Sequence, residues 1–298
     1  MNAVRVFLNP KSGQGDADQQ KIAALLAGHG CRATFTTLSR NLDVKALAAS
    51  DPAGVAFIAA GGDGTVNCVA SGLVGSDRPM GVLALGTLNH FARDLGLPVE
   101  LEPAIAVIAA GRTRPVDAAE VNGRIFVNNS SLGVYPRMVV QRERMKQGGV
   151  NKWASLVLAS ARAFIRFKGL QVDMNVEGQR CVCTTPFLFI GNNDYCLDGL
   201  KVGERAHLDA GHLALYLAPG ATRMDILRMA FGALLGRIRQ SPVYEEIKVR
   251  EFSVAARHRR KLRAALDGEV VHLACPLRYR TLPGALRVLC PATGGIEP

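Results

Sequence analysis

Three apolar segments in the first part of the chain each run into a corner of glycine or small polar residues, and each corner precedes a helix-like segment. The apolar segments are Val4–Leu8, Val55–Ala60 and Gly81–Leu85. Short apolar runs bounded by such corners predict buried strands, and the repeated order of strand, corner and helix is typical of a parallel sheet with crossover helices. We therefore expect residues 1–120 to form an α/β domain whose corners meet at the carboxyl edge of the sheet, where open α/β sheets bind ligands.

The second corner, Gly61-Gly62-Asp63-Gly64-Thr65, places three glycines around one carboxylate. Glycines just past a strand let the backbone approach a ligand closely, so that free N–H groups point at an anion. The carboxylate would repel a bare phosphate unless it binds Mg²⁺ or accepts a hydrogen bond from a ribose or a neighbouring N–H group. The pattern therefore favours a metal nucleotide. Neither a Walker P-loop nor a GxGxxG turn after a strand is present in the sequence.

Composition limits the class of protein. The chain has 298 residues, of which 48% are hydrophobic, and this supports two modest domains with cores of their own. Its seven cysteines form no CxxC pair and no zinc spacing, which predicts reduced thiols in a cytoplasmic protein. We expect no export signal before the first strand, and no apolar run reaches the roughly 18 residues of a membrane-spanning helix. The net charge of +11 at pH 7 favours an anionic partner.

Two basic segments narrow the choice of that partner. Between Arg137 and Lys168 there are eight basic residues and one acid, Glu143, and a helix over Asn151–Phe167 would gather apolar residues on one face. Such a helix lies in a membrane interface or docks on the core of the protein itself. The second run, Arg257–Arg263, has no interleaved aromatic residue and no nucleic-acid-binding motif beside it. We expect this run to be a solvated turn or a membrane-facing rim, with no nucleic-acid partner.

Short strand signals replace helices from Glu120 onward and predict an antiparallel β-sandwich over residues 121–284. The helix-like segments Asn151–Phe167 and Arg223–Arg239 would be insertions in it. The predicted strands are Ile125–Asn129, Leu170–Val176, Pro186–Gly191, His212–Leu217, Ile247–Val254, Leu262–Leu266 and Leu277–Tyr279.

Four motifs resemble, in order and spacing, those of the diacylglycerol kinase catalytic-domain family. This family includes bacterial lipid kinases and sphingosine and ceramide kinases, and it is distantly related to NAD kinases. The motifs are Asn9-Pro10-x-Ser12-Gly13, Gly61-Gly62-Asp63-Gly64-Thr65-Val66-Asn67, Gly86-Thr87-x-Asn89-x-Phe91-Ala92-Arg93 and Leu266-Asp267-Gly268-Glu269. Together they make the resemblance span nearly the whole chain.

The resemblance implies an N-terminal α/β nucleotide-binding domain with a parallel sheet and a C-terminal antiparallel β-sandwich, with the active site in the cleft between them. Residues 285–298, which include the apolar Leu286–Leu289, would rejoin the first domain. Asp267 would be the general base, with Glu269 as its partner. ATP would lie on the loop formed by Gly61, Gly62, Asp63, Gly64 and Thr65, with further contacts from Asn9, Thr37, Asn67, Gly86, Thr87 and Asn89.

Three positions depart from the family's pattern. Cys68 and His90 stand where the family usually has Glu and Asp. In the stretch Leu208-Asp209-Ala210-Gly211, the carboxylate expected in a structural Mg²⁺ loop is displaced by one position. The resemblance implies Mg²⁺ together with ATP, but the metal ligands stay unassigned.

Simpler structural roles compete with the functional ones. Asp267-Gly268 is also a common hairpin turn, and Asn9 and Thr87 could cap helices. The combined pattern predicts an ATP- and Mg²⁺-dependent kinase that phosphorylates a hydroxyl group of diacylglycerol or a related lipid, peripherally at the inner membrane face. Alternatives are a kinase for a soluble substrate such as NAD and a weakly catalytic nucleotide-binding regulator at membranes. The identity of the lipid and the oligomeric state, a homodimer included, stay open.

Overall fold

The computed structural model describes residues 3–9, 16–39, 41–133, 169–196, 203–234, 239, 241–257 and 259–292. In the first part of the chain, four parallel strands have the order β2-β1-β3-β4. Every residue of β3 is buried, as expected for a central strand with helices on both faces of its sheet. The elements are β1 (Ala3–Leu8), α1 (Asp16–Gly28), β2 (Arg32–Thr37), α2 (Val44–Ser50), β3 (Ala56–Gly61), α3 (Asp63–Leu73), β4 (Pro79–Ala84), α4 (His90–Asp94) and α5 (Leu101–Ala110).

The later elements form a two-layered antiparallel structure. One layer has the strand order β12-β11-β10-β7-β14-β15, and β16, β13, β8 and β9 form the other. Inward side chains from both layers, such as Leu132 and Val254, make one apolar core. The fold class expected from the sequence is confirmed. The elements are β5 (Thr113–Val121), β6 (Arg124–Phe126), β7 (Asn129–Gly133), β8 (Leu170–Val176), β9 (Gln179–Thr185), β10 (Phe187–Asn192), β11 (Leu213–Leu217), α6 (Arg223–Leu234), β12 (Glu245–Val249), β13 (Glu251–Ala256), β14 (Lys261–Leu266), β15 (Glu269–Ala274) and β16 (Leu277–Leu289).

The long strand β16 joins the two parts. Its first residues pair antiparallel with β13, whereas Arg287 and Val288 pair parallel with residues of β4. Strand β5 pairs with β16 on both sides of a bulge between Leu282 and Leu286. One continuous sheet therefore runs from the α/β part into the β-sandwich.

Some predicted elements are wrong in extent. Ile247–Val254 is interrupted at Arg250, because β12 and β13 belong to different sheets. Ile125–Asn129 is divided between β6 and β7 for a similar reason. Strand β9 was not predicted because most of its residues are exposed, which removes the apolar alternation, and β15 was also not predicted. The helix predicted over Arg223–Arg239 is described as α6, and the one over Asn151–Phe167 lies outside the described residues.

Candidate active site

The carboxyl ends of the four parallel strands lie side by side. The register across the sheet aligns Leu8 with Thr37 and Gly61 with Ala84. Asn9, which follows Leu8 directly, is half-buried, whereas Thr37 is exposed and lies one strand further from β3. The structure thus brings Asn9 and the second and third corners to one edge of the sheet.

The second and third corners touch through their glycines. A Cβ atom on Gly86 would lie 2.5 Å from the Cα atom of Gly62 and 2.7 Å from Oδ1 of Asn89. A Cβ atom on Gly61 would overlap the side chain of Thr65. Carbon atoms in contact ordinarily stay about 3.5 to 4.0 Å apart. Only glycine therefore allows the two strand ends to meet backbone to backbone.

The predicted loop over Gly61–Thr65 is wrong in conformation. Gly61 ends β3, Gly62 is the N-cap of α3, and Asp63 already belongs to the first turn of this 11-residue helix. The N-terminus of a helix offers unsatisfied N–H groups and the positive end of the helix dipole. Thr65 is buried, and among the described residues its Oγ1 atom has no hydrogen-bond partner. A helix N-terminus beside an unpartnered hydroxyl fits the phosphates of a nucleotide.

Asp63 connects the second corner to the third. Its Oδ1 atom accepts a hydrogen bond of 3.3 Å from the backbone N–H group of Phe91, in the first turn of α4. Among the residues that the structure describes, no group of three or more His, Cys, Asp and Glu side chains is arranged to hold a metal ion. Mg²⁺ beside a nucleotide typically takes one or two protein carboxylates together with substrate phosphates. The half-buried Asp63 fits the part of such a carboxylate.

Asn89 closes the third corner on itself. Its φ angle is +50°, a left-handed conformation that asparagine adopts more readily than most residues. Its Oδ1 atom accepts from the N–H group of Gly86 at 3.0 Å, and its Nδ2 atom donates to the Gly86 carbonyl at 2.8 Å. The predicted ligand Asn89 therefore shapes the corner, while Thr87 is exposed at its tip.

Helix α3 faces the hairpin formed by β14 and β15. Asn67 accepts a hydrogen bond of 3.2 Å from the hydroxyl group of Ser71. Burial raises the pKa of the neighbouring Cys68 thiol, and the charge of Glu269 raises it further. Because this interaction requires proximity, the acidic hairpin lies near the helix that begins at the glycine corner.

Asp267 occupies the turn between β14 and β15 with a φ angle of +45°. Its carboxylate accepts three backbone hydrogen bonds of 2.8 to 2.9 Å, from the N–H groups of Val127, Asn128 and Asn129. Burial raises the pKa of Asp267 to about 6, although these three donors and the charge of Arg205 act in the opposite direction. A carboxyl group that titrates near neutral pH is suited to take a proton from a hydroxyl group.

Sequence reasoning missed the groups behind this turn. Arg205 is fully buried and forms an ion pair of 2.7 Å with Asp94, the last residue of α4. Asn129 donates a hydrogen bond of 3.1 Å to the hydroxyl group of Tyr195. These residues lie far apart in the sequence, so no local pattern connects them. The run of small polar residues 128–131 is the one sequence signal that points to this region.

The loop in which the family pattern places a structural Mg²⁺ ion, and where this chain's carboxylate is displaced, is hydrogen-bonded to protein groups. The buried Asp117 accepts a hydrogen bond of 2.7 Å from the N–H group of Gly211 and one of 2.8 Å from that of Gly284. Asp209 is exposed. Both oxygens of Asp117, a β5 residue beside this loop, therefore bind backbone N–H groups and hold the loop in place.

The surfaces expected to meet a membrane are only partly described. The basic segment 137–168 lies outside the described residues. In the second run, the side chains of Arg257, Arg259, Arg260, Lys261 and Arg263 are exposed. Over the described part of the chain, no helix combines the length and the apolar content needed to cross a membrane.

Comparison with known proteins agrees with this architecture. The family model for the diacylglycerol kinase catalytic domain matches residues 3–121, and that for the YegS C-terminal NAD kinase beta sandwich-like domain matches residues 134–290. A relative from Pseudomonas aeruginosa, named "Probable lipid kinase YegS-like", is 32% identical over 79% of this chain and 76% of its own length. A relative of the same name from Klebsiella pneumoniae is 30% identical over 78% of this chain and 77% of its own length. The solved structure of a diacylglycerol kinase from Bacillus anthracis has the same fold, with a TM-score of 0.70, 19% identity and 98% coverage of both chains. The chain therefore belongs to the diacylglycerol kinase-like family of lipid kinases, in which a diacylglycerol kinase catalytic domain is combined with a YegS-type β-sandwich.

Proposed function

We propose that the protein is an ATP- and Mg²⁺-dependent lipid kinase that transfers the γ-phosphoryl group to a hydroxyl group of diacylglycerol or a related lipid. The observation that carries this proposal is the set of hydrogen bonds that joins Asp267 to the glycine corners. Asn128 donates its backbone N–H group to Asp267, and its side-chain oxygen accepts from Arg205, which pairs with Asp94 of α4. The Phe91 N–H group of the same helix donates to Asp63 at the start of α3. The half-buried Asp267, with its raised pKa, and a helix N-terminus suited to phosphates are thus connected by one hydrogen-bond network.

The nucleotide phosphates would lie at the N-terminus of α3. The free N–H groups of its first turn and the buried Thr65 hydroxyl would donate hydrogen bonds to them. Asn9, Asn67 and Thr87 line the same edge of the sheet or the helix that starts there. Mg²⁺, when bound, would neutralise phosphate charge, with Asp63 as the protein carboxylate that holds it.

Asp267 would act on the lipid hydroxyl group. Its carboxylate takes the hydroxyl proton while the lipid oxygen forms a bond to the γ-phosphorus and the bond from that phosphorus to the departing ADP oxygen breaks. Three backbone N–H groups hold the carboxylate in a single orientation, which keeps it ready for the transfer. The exposed Glu269, two residues further along, would help to orient the incoming lipid.

The same proposal places the protein peripherally on the inner membrane face. Support comes from the net charge of +11 and from the exposed basic run 257–263 on the approach to the catalytic hairpin. Basic residues near an anionic lipid surface contribute about 1 kcal/mol each to binding.

The test is transfer of radiolabelled γ-phosphate from ATP, with and without Mg²⁺, to acceptors in anionic mixed micelles. The acceptors are diacylglycerol, phosphatidylglycerol, sphingosine, ceramide and NAD. We expect Mg²⁺-dependent labelling of a lipid by the wild type and by Asp77→Asn, a control whose side chain is 96% exposed. Asp267→Asn should label nothing. Labelled NADP would instead indicate a soluble-substrate kinase, and tight ATP binding without transfer to any acceptor would indicate a regulator.

A further inference from the structure

Arg205 is a charged side chain with no exposure to solvent, and every nitrogen of its guanidinium group is engaged. The Nε atom donates to Asp94 at 2.7 Å. The Nη1 atom donates to the carbonyls of Val127 at 2.7 Å and Asn192 at 3.1 Å, and Nη2 donates to Oδ1 of Asn128 at 2.7 Å. A buried charge needs such complete pairing, because an unpaired one is costly in a low-dielectric interior.

The partners of Arg205 belong to two parts of the active site. Asp94 ends α4, the short helix that follows the third glycine corner and whose Phe91 N–H group binds Asp63. Two of the other partners, Val127 and Asn128, belong to the segment whose N–H groups hold Asp267. One guanidinium group therefore joins the nucleotide corner to the cradle of the catalytic carboxylate.

Few ionisable groups face Asp267. Among the described residues, Arg205 and Tyr195 interact electrostatically with Asp267, and burial keeps the phenol of Tyr195 neutral. Glu269, two residues further along the chain, is exposed. The segment 127–129 contributes backbone N–H groups. Asp94 lies on the far side of Arg205 and offsets part of its charge.

We propose that Arg205 is a positioning residue for phosphoryl transfer. With Asp94 as its counter-ion, Arg205 holds the segment that binds Asp267 against the nucleotide corner. It also sets the charge balance around the Asp267 carboxylate. This inference rests on the proposed function, because it takes Asp267 as the general base. The turn that carries Asp267 then depends on Arg205, and the ion-pair partner of Arg205, Asp94, belongs to the α/β part of the chain.

The two members of the ion pair have opposite electrostatic effects on Asp267. Loss of Arg205 removes a positive charge and leaves Asp94 unopposed, so the pKa of Asp267 rises. Loss of the Asp94 charge leaves Arg205 unopposed, so the pKa of Asp267 falls. A purely structural role would make both variants less stable but would not move the titration in opposite directions.

The experiment compares the pH dependence of kcat/KM for Arg205→Met, Asp94→Asn, the double variant and the wild type. We expect the acid limb of the wild type at about pH 6. It should move upward by about one pH unit in Arg205→Met, downward in Asp94→Asn, and back toward the wild-type position in the double variant. Turnover in Arg205→Met should fall by about 10- to 100-fold, with a smaller change in the KM for ATP, because misplacement of the base affects the transfer step.

Two further variants separate charge from geometry. Arg205→Lys keeps the positive charge but lacks the planar fork of donors, so it should restore the acid limb without restoring kcat. Arg180→Met is the matched control, because Arg180 pairs with Asp173 on the exposed β8–β9 hairpin. It should change neither the limb nor kcat.

A direct titration makes the result independent of activity. The ¹³C carboxyl resonance of Asp267, assigned by its loss in Asp267→Asn, should titrate with the same opposite shifts. An Asp94→Asn titration that coincides with that of the wild type would overturn the proposal, even if Arg205→Met failed to fold. A wild type that phosphorylates no acceptor would count against the proposed function, whereas an active wild type with an unmoved limb in every variant would count against Arg205 alone.

Discussion

Substitution of Gly86 by alanine should push apart the second and third glycine corners, where the proposed function places the nucleotide. The backbone of Gly86 lies outside the left-handed region, so alanine can adopt its conformation and the effect is steric. The new Cβ atom would lie 2.5 Å from the Cα atom of Gly62, which cannot rotate away. Because carbon contacts need about 3.5 to 4.0 Å, the corners must separate by about 1 to 1.5 Å.

The expected losses of stability and of activity follow from that displacement. Overpacking of this kind costs about 1 to 3 kcal/mol of folding free energy. A misplacement of about 1 Å in a positioning element lowers the rate on the order of 100-fold. We therefore expect Gly86→Ala to fold with reduced stability and to lose about 100-fold in kcat/KM, with weaker ATP binding as the corner moves.

Calorimetric titration with ATP measures the loss of nucleotide binding, and urea unfolding measures the loss of stability. Gly28→Ala, at the end of α1, is the control, because no atom lies within 4 Å of its new Cβ atom. Gly64→Ala also points into open space, in the first turn of α3, and should stabilise that helix by about 0.5 to 1 kcal/mol. Wild-type stability and wild-type ATP affinity in Gly86→Ala would refute the argument that the contact between the corners builds the site.

The wild-type kcat/KM should fall about tenfold per pH unit below about pH 6, because only the ionised Asp267 accepts a proton and burial raises its pKa to about 6; a profile flat down to pH 5 would contradict its role as the base. Asn89→Ala should cost about 2 kcal/mol and weaken ATP binding, since it removes two hydrogen bonds to Gly86 and leaves alanine in a left-handed conformation; calorimetry and urea unfolding would show whether both losses occur. Arg5→Met should lower the free energy of unfolding by about 1 kcal/mol with kcat unchanged, because it removes an ion pair with Asp51 of 2.6 and 2.7 Å that lies away from the cleft. Since Arg5 lowers the pKa of Asp51, this stabilisation is present at neutral pH and is lost as the pH falls below about 4, so unfolding curves of Arg5→Met and wild type should converge in acid.

Local sequence patterns predicted much of the α/β part. The strand predicted over Val4–Leu8 is β1 with one more residue, and the strands predicted over Val55–Ala60 and Gly81–Leu85 overlap β3 and β4. These features depend on neighbouring residues alone, since apolar runs, turn glycines and caps act over a few positions. The boundary near Arg250 escaped prediction because an unbroken alternation does not show that the chain passes from one sheet to another.

For Asp267, the hairpin turn that the sequence offered as the simpler interpretation is confirmed, and its role as a base stays a prediction. The residue occupies an ordinary two-residue hairpin turn, and the same turn inserts its carboxylate among three backbone N–H groups. The Asp-Gly pair predicted the turn. The N–H donors lie 138 to 140 residues away in the sequence, so only folding could bring them to the carboxylate.

The glycine corners and the acidic turn can be located from the sequence, because those motifs act through local backbone conformation. The groups that surround Asp267 are brought together only by folding. Arg205 and Asp94 are 111 residues apart, and neither carries a local signal of burial. A charge is strongly felt only where other groups exclude water from around it, and that exclusion is a property of the packed neighbours that folding supplies.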